Sequence, residues 1–366
     1  MRVVQLLPEL NEGGVERGAV DLSRELVRQG VESIVVSAGG KLAAAIEADG
    51  GRHLSYDIAG KNPLTALPRM LGLRRLFDEL RPDIIHARSR VPAWLAYLAN
   101  RQSQRPFVTT VHGFNSVNAY SRVMTFGDRV ICVSGAVRDY VRHHYRVAEE
   151  KLVVIPRGID LAAFDPERLD RAFMADFTTR YGLAGKFVVS SVGRITQLKD
   201  YETFIAALIA AHRERPELVG LIVGGVREDK RDYYSRLQGL VAAARAGGYI
   251  HFTGSQRRVA EIYALSDVVV CGSNKPESFG RAAAEALAMN VPVVASAHGG
   301  ILDIVRPGET GYLFPPGDRA ALAAALLKVD RAALIPLRPY VAEHFTLEKM
   351  VAATLAEYRR LSGGTP

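Results

Sequence analysis

The amino-acid sequence predicts two α/β domains, each built on a doubly wound parallel sheet. Three observations support this fold class. Short apolar runs alternate with segments of helical period along the chain, a pattern typical of parallel strands covered by helices on both faces. This alternation starts twice, first at the N-terminus and again near residue 187. The chain has 366 residues, which is long for one core and suitable for two domains.

The first series begins with "RVVQLLP", a strand that leads through a glycine loop into the helical segment "VERGAVDLSRELVRQG". In this segment Val15, Ala19, Leu22 and Leu26 recur at helical spacing. Further strands are predicted in "ESIVVSAG", "RHLSYDI", "DIIHARS", "PFVTTVHG" and "DRVICVSG". Helical segments lie between them, and we expect the one in "NPLTALPRMLGLRRLFDELRP" to be broken near Pro68.

The second series contains the predicted strands "KFVVSSVG", "LVGLIVGG", "YIHFTG", "DVVVCGS", "VPVVAS" and "GYLFPPGD", again alternating with helices. Pro156, Gly158 and Pro166 interrupt the regular pattern, so we place a linker near 160–185. The predicted domains are 1–165 and 166–340. The last segment, 341–366, is predicted to be helical and to pack back on the first domain.

Two doubly wound domains joined by a linker predict a cleft between them. In open α/β sheets, ligands bind beyond the carboxyl ends of the strands. We therefore expect the loops that follow the strands of both domains to face this cleft and to carry the functional residues.

Composition excludes several classes of protein. No apolar run approaches the roughly 20 residues needed to span a bilayer. The N-terminal "MRVVQLLPELNEGG" is not predicted to be a signal peptide, because its apolar run is short and enters a glycine loop. Cys132 and Cys271 both lie in apolar, strand-like runs, which favours buried hydrophobic side chains over a disulfide or a metal site. A cytoplasmic location fits this cysteine usage.

The positive charge is concentrated in one region. The chain has a formal net charge of +8, and residues 61–105 contain nine Lys or Arg against three acidic residues, a net of +6. This basic run suits an anionic partner, such as nucleic acid, a phosphorylated glycolipid or an acidic membrane surface. A solvated helix face with no such partner is the alternative.

The glycine loop after the first strand contains Gly13 and Gly14 directly before a helix. Paired glycines let the backbone approach a ligand closely, and a helix N-terminus favours an anion. The loop does not match G-x-G-x-x-G, and no acidic residue clearly ends the second strand. A dinucleotide-dependent dehydrogenase is therefore disfavoured.

The loop "SVGRITQLKD" follows the first strand of the second series and contains Arg194 and Lys199. Two cations in a strand-to-helix loop can neutralise a diphosphate, and Arg suits bidentate contact. A solvated loop with two exposed cations is the competing interpretation.

The stretch "PESFGRAAAEAL" places Glu277 just outside a helix and Glu285 within it. The amides of Phe279 and Gly280 are predicted to be free donors at the start of this helix. Eight residues of helix span ~12 Å, whereas a retaining glycosidase needs its carboxyl groups ~5 Å apart. The two carboxylates are therefore predicted to hold two ends of one ligand, a sugar and a nucleoside, rather than to act as an acid and nucleophile pair.

Two histidines lie in or at the end of strands of the first series. His112 ends a strand predicted to face the cleft, and we assign it a functional role. His86 in "DIIHARS" is predicted to be a satisfied polar residue, whereas Arg88 and Arg90 beside it are candidates for binding an acceptor phosphate.

These motifs, in this order, resemble those of the retaining glycosyltransferases of family 4, which have the GT-B fold, and the resemblance covers essentially the whole chain. It is carried by "GGVERG", "HGF", "VSGAVRDYV", "IPRGID", "VGRITQLKD", "HFTG", "PESFGRAAAEAL", "GGILDIV" and "GETGYLFPPGD". The E-x7-E element with its Phe-Gly pair is the most specific of them. The fold implied is GT-B, with two Rossmann-like domains facing each other across a cleft.

The resemblance also implies roles for individual residues. Arg194, Lys199 and the Phe279 and Gly280 amides would bind the donor diphosphate, with Ser278 beside them. Glu277 would hold hydroxyl groups of the donor sugar and Glu285 the ribose. His112 would lie close to the transferred sugar, and Gly13 and Gly14 would close over the sugar-phosphate junction. Catalysis would rest on His112, Glu277, Arg194 and Lys199.

The sequence departs from the family pattern at two places. Arg157 stands where similar enzymes often have Asn before Gly-Ile-Asp, and "GGVRED" begins at the end of the strand segment "LVGLIVGG", where Gly-x-Gly is common. No D-x-D motif occurs, so we predict a metal-independent enzyme without a cofactor. Its cations would stabilise the charge that grows on the leaving diphosphate. The donor is expected to be UDP- or GDP-linked.

The first domain of such enzymes normally holds the acceptor, and here it contains the basic run 61–105. Basic helices with apolar side chains can lie on an anionic membrane. The chain therefore resembles lipopolysaccharide-core or other glycolipid glycosyltransferases, acting at the inner face of a bacterial cytoplasmic membrane on an anionic glycolipid and not on nucleic acid. The alternatives are a non-catalytic nucleotide- or nucleic-acid-binding protein and a GT-B sugar epimerase or phosphorylase.

Overall fold

The protein was analysed as a computed structural model, which describes residues 1–11, 13–60, 62–330 and 334–363. Lys61 of the basic run and residues 364–366 of the predicted C-terminal segment lie outside the described residues. The chain divides into two compact units. Unit 1 is formed by Met1–Gly158 and Leu347–Pro366, and unit 2 by Ile159–Thr346.

The described strands of each unit form one parallel sheet. Those of unit 1 are β1 (Arg2–Leu6), β2 (Glu32–Ser37), β3 (Arg52–Ser55), β4 (Ile84–Ala87), β5 (Phe107–Val111), β6 (Arg129–Cys132) and β7 (Leu152–Val154). Those of unit 2 are β8 (Phe187–Val192), β9 (Leu218–Val223), β10 (Ile250–Gly254), β11 (Val268–Cys271), β12 (Val293–Ser296) and β13 (Gly311–Phe314).

The helices connect successive strands and follow the last of them. In unit 1 they are α1 (Gly14–Arg28), α2 (Ala43–Ala48), α3 (Ala66–Leu80), α4 (Arg90–Asn100) and α5 (Gly135–Tyr145). In unit 2 they are α6 (Arg171–Tyr181), α7 (Tyr201–Glu214), α8 (Arg231–Ala243), α9 (Val259–Ala264), α10 (Arg281–Ala288), α11 (Arg319–Lys328) and α12 (Leu337–His344). The last described helix, α13 (Leu347–Leu361), belongs to unit 1.

Both sheets are doubly wound. The strand order is β3-β2-β1-β4-β5-β6-β7 in unit 1 and β10-β9-β8-β11-β12-β13 in unit 2, with parallel pairing between neighbours. Side chains of adjacent residues point to opposite faces, so Val3 and Val4 enter different hydrophobic clusters. Val188 and Val189 do the same in unit 2. The prediction of two Rossmann-like parallel sheets is confirmed.

The last helix completes the core of unit 1. Its Leu355 and Tyr358 pack with residues of β1, α1 and β4 in one cluster. Glu357 forms an ion pair of 2.5 Å with Arg129 at the start of β6. Unit 1 is therefore assembled from two separated stretches of the chain.

The unit boundaries differ from those expected. The chain leaves unit 1 after Gly158 rather than at 165, and returns at Leu347 rather than at 341. The region 160–185, predicted to be a linker, contains α6 of unit 2. This helix is capped by the Asp170 carboxylate, which accepts a hydrogen bond of 3.0 Å from the Phe173 amide. It buries Phe177 against the sheet of unit 2.

The expected break at Pro68 is also wrong, because α3 runs from Ala66 to Leu80 without interruption. Pro68 is the third residue of this helix. Amides of the first turn have no partner inside a helix, so a proline there removes no hydrogen bond.

Candidate functional site

In a doubly wound sheet the strand order reverses at one point, and ligands bind beyond the strand ends there. In unit 2 this point lies between β8 and β11, which pair in parallel. Arg194 and Lys199 follow β8, and Glu277 follows β11. The structure thus brings together side chains that are 78 residues apart in the sequence.

Lys199 and Glu277 form an ion pair. The Lys199 Nζ atom donates a hydrogen bond of 2.6 Å to Glu277 Oε1, and the Ser273 hydroxyl donates one of 2.5 Å to the same oxygen. The side chains of Lys199 and Glu277 are 23% and 15% exposed. Arg194 is exposed.

Both groups of the pair are held in their charged forms. Burial would raise the pKa of the Glu277 carboxyl, but the charge and hydrogen bond of Lys199 and the Ser273 hydroxyl outweigh it, so this pKa lies below its ordinary value. Burial would lower the pKa of Lys199, but the Glu277 carboxylate raises it above its ordinary value. The site therefore presents an oriented carboxylate and an oriented ammonium.

The loop that carries Glu277 is fixed by a neighbouring glycine pair. Glu277 forms a parallel bridge with Gly299, and the Gly300 amide donates a hydrogen bond of 2.7 Å to the Glu277 carbonyl. A Cβ on Gly299 would lie 2.6 Å from that carbonyl oxygen, and Gly299 has a φ of 74°. The sequence motif "GGILDIV" contains this pair, but sequence reasoning gave it no role.

The start of α10 follows directly. Gly280 is its N-cap with a φ of 101°, a conformation that disfavours side chains. Phe279 is 2% exposed and packs in a core cluster, so its ring anchors the loop. Ser278 precedes it and is half-buried. The predicted helix N-terminus thus lies next to the Lys199–Glu277 pair in sequence and in the fold of unit 2.

Glu285 lies within α10, and both of its oxygens are engaged. The Arg281 Nε atom donates a hydrogen bond of 2.9 Å to Oε1, and the hydroxyl of buried Tyr263 donates one of 3.1 Å to Oε2. Its side chain is 14% exposed. These contacts fix the carboxylate in one orientation.

In unit 1 the strand order reverses between β1 and β4. Gly13 and Gly14 follow β1 and begin α1, and Arg88 and Arg90 follow β4. His112 follows the next strand, β5. A cavity of about 330 Å³ is lined by Arg88, Arg90 and His112, so the structure brings these three predicted residues together.

Arg157 links His112 to the start of α1. Its Nη1 atom donates a hydrogen bond of 2.7 Å to the Gly14 carbonyl, and its Nη2 atom lies 3.3 Å from His112 Nδ1. A guanidinium only donates, so Nδ1 accepts and the neutral imidazole carries its proton on Nε2. A Cβ on Gly14 would lie 2.6 Å from Arg157 Nη1, so a side chain at this position would displace the guanidinium.

The Nε2 atom of His112 is buried and has no hydrogen-bond partner among the described residues. Burial, followed by the charges of Arg88 and Arg157, lowers the pKa of His112 well below its ordinary value. The ring is therefore neutral near pH 7 and offers a single N–H donor at the cavity.

Arg88 is 8% exposed, and burial lowers its pKa to about 10. Its Nη1 atom donates a hydrogen bond of 3.3 Å to Gln5, while its buried Nε atom has no partner within the part of the chain that the structure describes. Arg90, the first residue of α4, donates a hydrogen bond of 3.2 Å to Ser121 and lies 5.5 Å from the centre of the Tyr120 ring.

His86 is a satisfied core residue, as the sequence predicted. Its ring nitrogens make hydrogen bonds of 2.6 Å with the Tyr358 hydroxyl and 2.7 Å with the Thr110 hydroxyl. Cys132 and Cys271 are both free and buried.

In the described ranges, no three His, Cys, Asp or Glu residues are grouped so that they could hold a metal ion. No described helix combines the length and the apolar character that crossing a membrane requires.

Comparisons with known proteins agree with this architecture. Residues 12–163 match the family model described as Glycosyltransferase Family 4, and residues 180–331 match the one described as Glycosyl transferases group 1. The spore coat protein SA of Bacillus subtilis (strain 168) is 26% identical over 248 residues, 64% of each protein. A D-inositol 3-phosphate glycosyltransferase of Actinosynnema mirum is 27% identical over 87% of this chain and 84% of its own length.

Two solved structures are similar over nearly their whole length. A glycosyltransferase from Rickettsia africae ESF-5 is 27% identical, with a TM-score of 0.91, and the match covers 100% of this chain and 99% of that one. Anabaena Alr3699/HepE in complex with UDP-glucose is 22% identical, with a TM-score of 0.82 and coverage of 98% and 100%. At 22% identity, the similarity to HepE is one of fold alone.

Proposed function

The chain belongs to the GT-B glycosyltransferases, with a family 4 domain followed by a group 1 domain, and on this premise we propose that it is a retaining hexosyltransferase. The donor is a nucleotide diphosphate sugar, and the acceptor is a phosphorylated glycolipid of the lipopolysaccharide-core or a related type. The observation that carries this proposal is the Lys199–Glu277 pair directly before the start of α10.

Unit 2 is assigned the donor. Breaking the bond between the anomeric carbon and the diphosphate oxygen leaves negative charge on the diphosphate. Arg194, Lys199 and the amides before α10 are placed to stabilise that charge as it develops. Glu277, whose low pKa keeps it ionised, would accept hydrogen bonds from sugar hydroxyls. Glu285 would do the same for the ribose.

Retention requires that the acceptor oxygen attack the face from which the leaving group departs. The new bond forms between that oxygen and the anomeric carbon. The departing phosphate oxygen takes the acceptor proton, so no separate base is needed. His112 would donate its Nε2 proton to a hydroxyl of the transferred sugar, because the opposite nitrogen is occupied by Arg157.

Metal independence belongs to this proposal, since two cations and a helix start can supply the charge that a metal would otherwise supply. The fold likeness to HepE, whose structure contains UDP-glucose, supports UDP-hexoses as the first donors to test. Arg88 and Arg90, together with the name of the Actinosynnema mirum relative, support a phosphorylated acceptor. The site of action would be the inner face of the cytoplasmic membrane.

A thermal-shift panel of UDP, GDP, ADP and CMP and their sugars, with EDTA throughout, tests the donor site. A ligand that binds the native state raises its apparent stability, by about 2.7 kcal/mol at 100 times its Kd. We expect a shift with one nucleoside diphosphate that is lost in Arg194→Ala and kept in the control Arg180→Ala, an exposed arginine of α6. No shift with any nucleotide would contradict the donor assignment, and a shift only without EDTA would contradict metal independence.

Transfer is tested with the donor that binds and with phosphorylated acceptors. The anomeric coupling constant of the product, measured by NMR, distinguishes retention from inversion. Conversion of the donor without an acceptor would instead favour an epimerase. Transfer to inositol phosphate but not to a lipid would contradict the glycolipid acceptor, and sedimentation with anionic vesicles tests the membrane contact.

A further inference from the structure

A second cavity of unit 1, of about 900 Å³, is lined mainly by residues of α3 and α4. We call it the α3–α4 groove. Its volume lies in the upper part of the usual range for small-molecule sites, roughly 300–1,000 Å³. Apolar side chains dominate its walls, among them Leu67, Met70, Trp94 and Leu98.

The apolar side chains of this region are unusually exposed. Leu67 is 62% and Leu98 is 41% exposed, and the nearby Leu64 and Leu71 are 86% and 42% exposed. A cluster of large exposed apolar side chains marks a binding surface rather than an ordinary solvated face. The indole Nε1 of Trp94 donates a hydrogen bond of 2.8 Å to the Tyr120 carbonyl, so its ring needs no polar partner from a ligand.

One end of the groove is polar and positively charged. Ser89 and Arg90 line both this groove and the cavity that contains His112. They are the N-cap and first residue of α4, and Ser89 makes no side-chain cap hydrogen bond. Helix N-termini favour anions. Arg88 lines the cavity that contains His112, is 8% exposed and has a buried Nε atom without a hydrogen-bond partner among the described residues. This buried cation gives independent support for an anionic ligand.

We propose that the α3–α4 groove binds the hydrocarbon chain of the acceptor, with its phosphate at Ser89 and Arg90. The ligand class is a phosphoryl lipid bound as a single molecule. This proposal rests on the function proposed above, because it names the acceptor of the same enzyme. The arrangement directs the head of the lipid toward the cavity of His112 and leaves its chain against α3 and α4.

A concave groove of this volume favours a single lipid chain over the flat surface of a bilayer. Burial of each CH₂ contributes about 0.8 kcal/mol, which is about fourfold in affinity. Binding of alkyl phosphates should therefore strengthen steeply with chain length until the groove is filled. A site that binds only the phosphate group would show no dependence of affinity on chain length.

Trp94 is the single tryptophan of the chain and lines the groove, so its fluorescence reports occupancy directly. We would titrate the full-length protein, without donor, with butyl, hexyl and octyl phosphate below their micelle concentrations. Two controls each carry one half of the ligand: octanol has the alkyl chain without the phosphate, and inorganic phosphate has no chain. The expected result is a fluorescence change with octyl phosphate at a Kd at least tenfold below that of butyl phosphate, and weaker binding of both controls.

The matched variants are Leu98→Asp and Leu240→Asp. Leu240 lies on α8 of unit 2 and is 41% exposed, the same fraction as Leu98. Leu98→Asp should weaken octyl phosphate binding at least tenfold, and Leu240→Asp should leave it unchanged. Urea unfolding of both variants shows whether either effect comes from loss of the fold.

Three outcomes would overturn the proposal: no dependence on chain length, equal loss in both variants, or a Trp94 response to anionic vesicles but not to monomeric octyl phosphate. The last would make the groove a bilayer contact. Because the titration needs neither donor nor transfer, octyl phosphate binding in a protein that transfers no sugar would contradict the proposed function and leave the groove assignment standing.

Discussion

The strand-order reversals of the two units carry charged groups in different states. In unit 2 two cations are paired with carboxylates, Lys199 with Glu277 and Arg281 with Glu285, whereas Arg194 is exposed. In unit 1, Arg88 and Arg90 form no ion pair within the described residues, and His112 beside them is neutral. The same sheet topology thus carries one site that is built on ion pairs and one positively charged site that contains none among the described residues. This difference is what the proposed anionic ligand of unit 1 rests on.

The largest effect should come from breaking the balanced pair. In Glu277→Gln the Lys199 ammonium loses its charged partner, and sugar hydroxyls lose a carboxylate. We expect sugar transfer to fall at least ~100-fold, the scale of losing one charge-stabilising group, and the unfolding midpoint to fall by the equivalent of ~1–3 kcal/mol. Donor consumption and urea denaturation measure the two.

Glu217→Gln is the control, because Glu217 pairs with Arg215 at the surface of the same unit. That variant should change neither quantity measurably. Wild-type turnover in Glu277→Gln would show that the pair has no part in transfer.

The second test addresses the loop that positions Glu277. Gly299→Ala adds a Cβ 2.6 Å from the Glu277 carbonyl oxygen at a residue with φ of 74°. We expect ~2–4 kcal/mol of destabilisation, from positive φ and a backbone clash together. Gly30→Ala has a φ of 73° with open space around it and should cost only ~1 kcal/mol. If Gly299→Ala and Gly30→Ala lowered the urea midpoint equally, the clash between residue 299 and the Glu277 carbonyl would be refuted.

The third test concerns the positively charged site. Arg157→Ala removes the donor to His112 Nδ1 and a charge that lowers the pKa of that ring. The pKa of His112 should rise toward its ordinary value, and both imidazole tautomers should appear in long-range ¹H–¹⁵N NMR spectra. Gly14→Ala should destabilise the wild type by ~1–3 kcal/mol and the Arg157→Ala protein by less, because the clash is then absent. If Gly14→Ala destabilised both proteins equally, the contact between residue 14 and Arg157 would be contradicted.

The smallest effect is the pH dependence of stability. His86 and His112 have pKa values well below 6.5, chiefly because they are buried. Below pH 6.5 the unfolded chain binds protons that the folded protein does not. The free energy of unfolding therefore decreases as the pH is lowered below 6.5. It is at its full value above pH 6.5, and each histidine contributes up to ~1.4 kcal/mol per pH unit.

Urea midpoints measured between pH 8 and 5.5 give this slope. It should decrease in His112→Gln and remain unchanged in His143→Gln, which replaces an exposed histidine of α5. An unchanged slope in His112→Gln would mean that the ring is protonated in the folded protein.

The sequence predicted the parallel sheets well, because fully apolar runs between helices leave few alternatives. It missed α6, although Phe173, Phe177 and Tyr181 recur at helical spacing and their rings pack together at tilted angles in the structure. Pro156, Gly158 and Pro166 nearby are stronger local signals, and they favour a linker. It also missed β7, since three residues are too few to show a pattern.

For the site, the sequence identified individual side chains but not their partners. The family resemblance implies that Lys199 and Glu277 bind different parts of one ligand, whereas the structure shows that they bind each other. Arg157 departs from the family pattern, but its contacts are with Gly14 and His112, which are 143 and 45 residues away in the chain. Such pairings depend on tertiary folding, which local pattern does not specify.

Unit 1 is formed by two stretches of chain that are separated by unit 2, and this affects its folding during synthesis on the ribosome. The Tyr358 hydroxyl that bonds to His86 and the Glu357 carboxylate that pairs with Arg129 are translated after all of unit 2. The N-terminal sheet must therefore wait, with one face covered by α1 but not by α13, while 188 residues from Ile159 to Thr346 are made. A nascent chain stalled before Leu347 should expose that face to chaperones and proteases, although every strand of the sheet has already emerged.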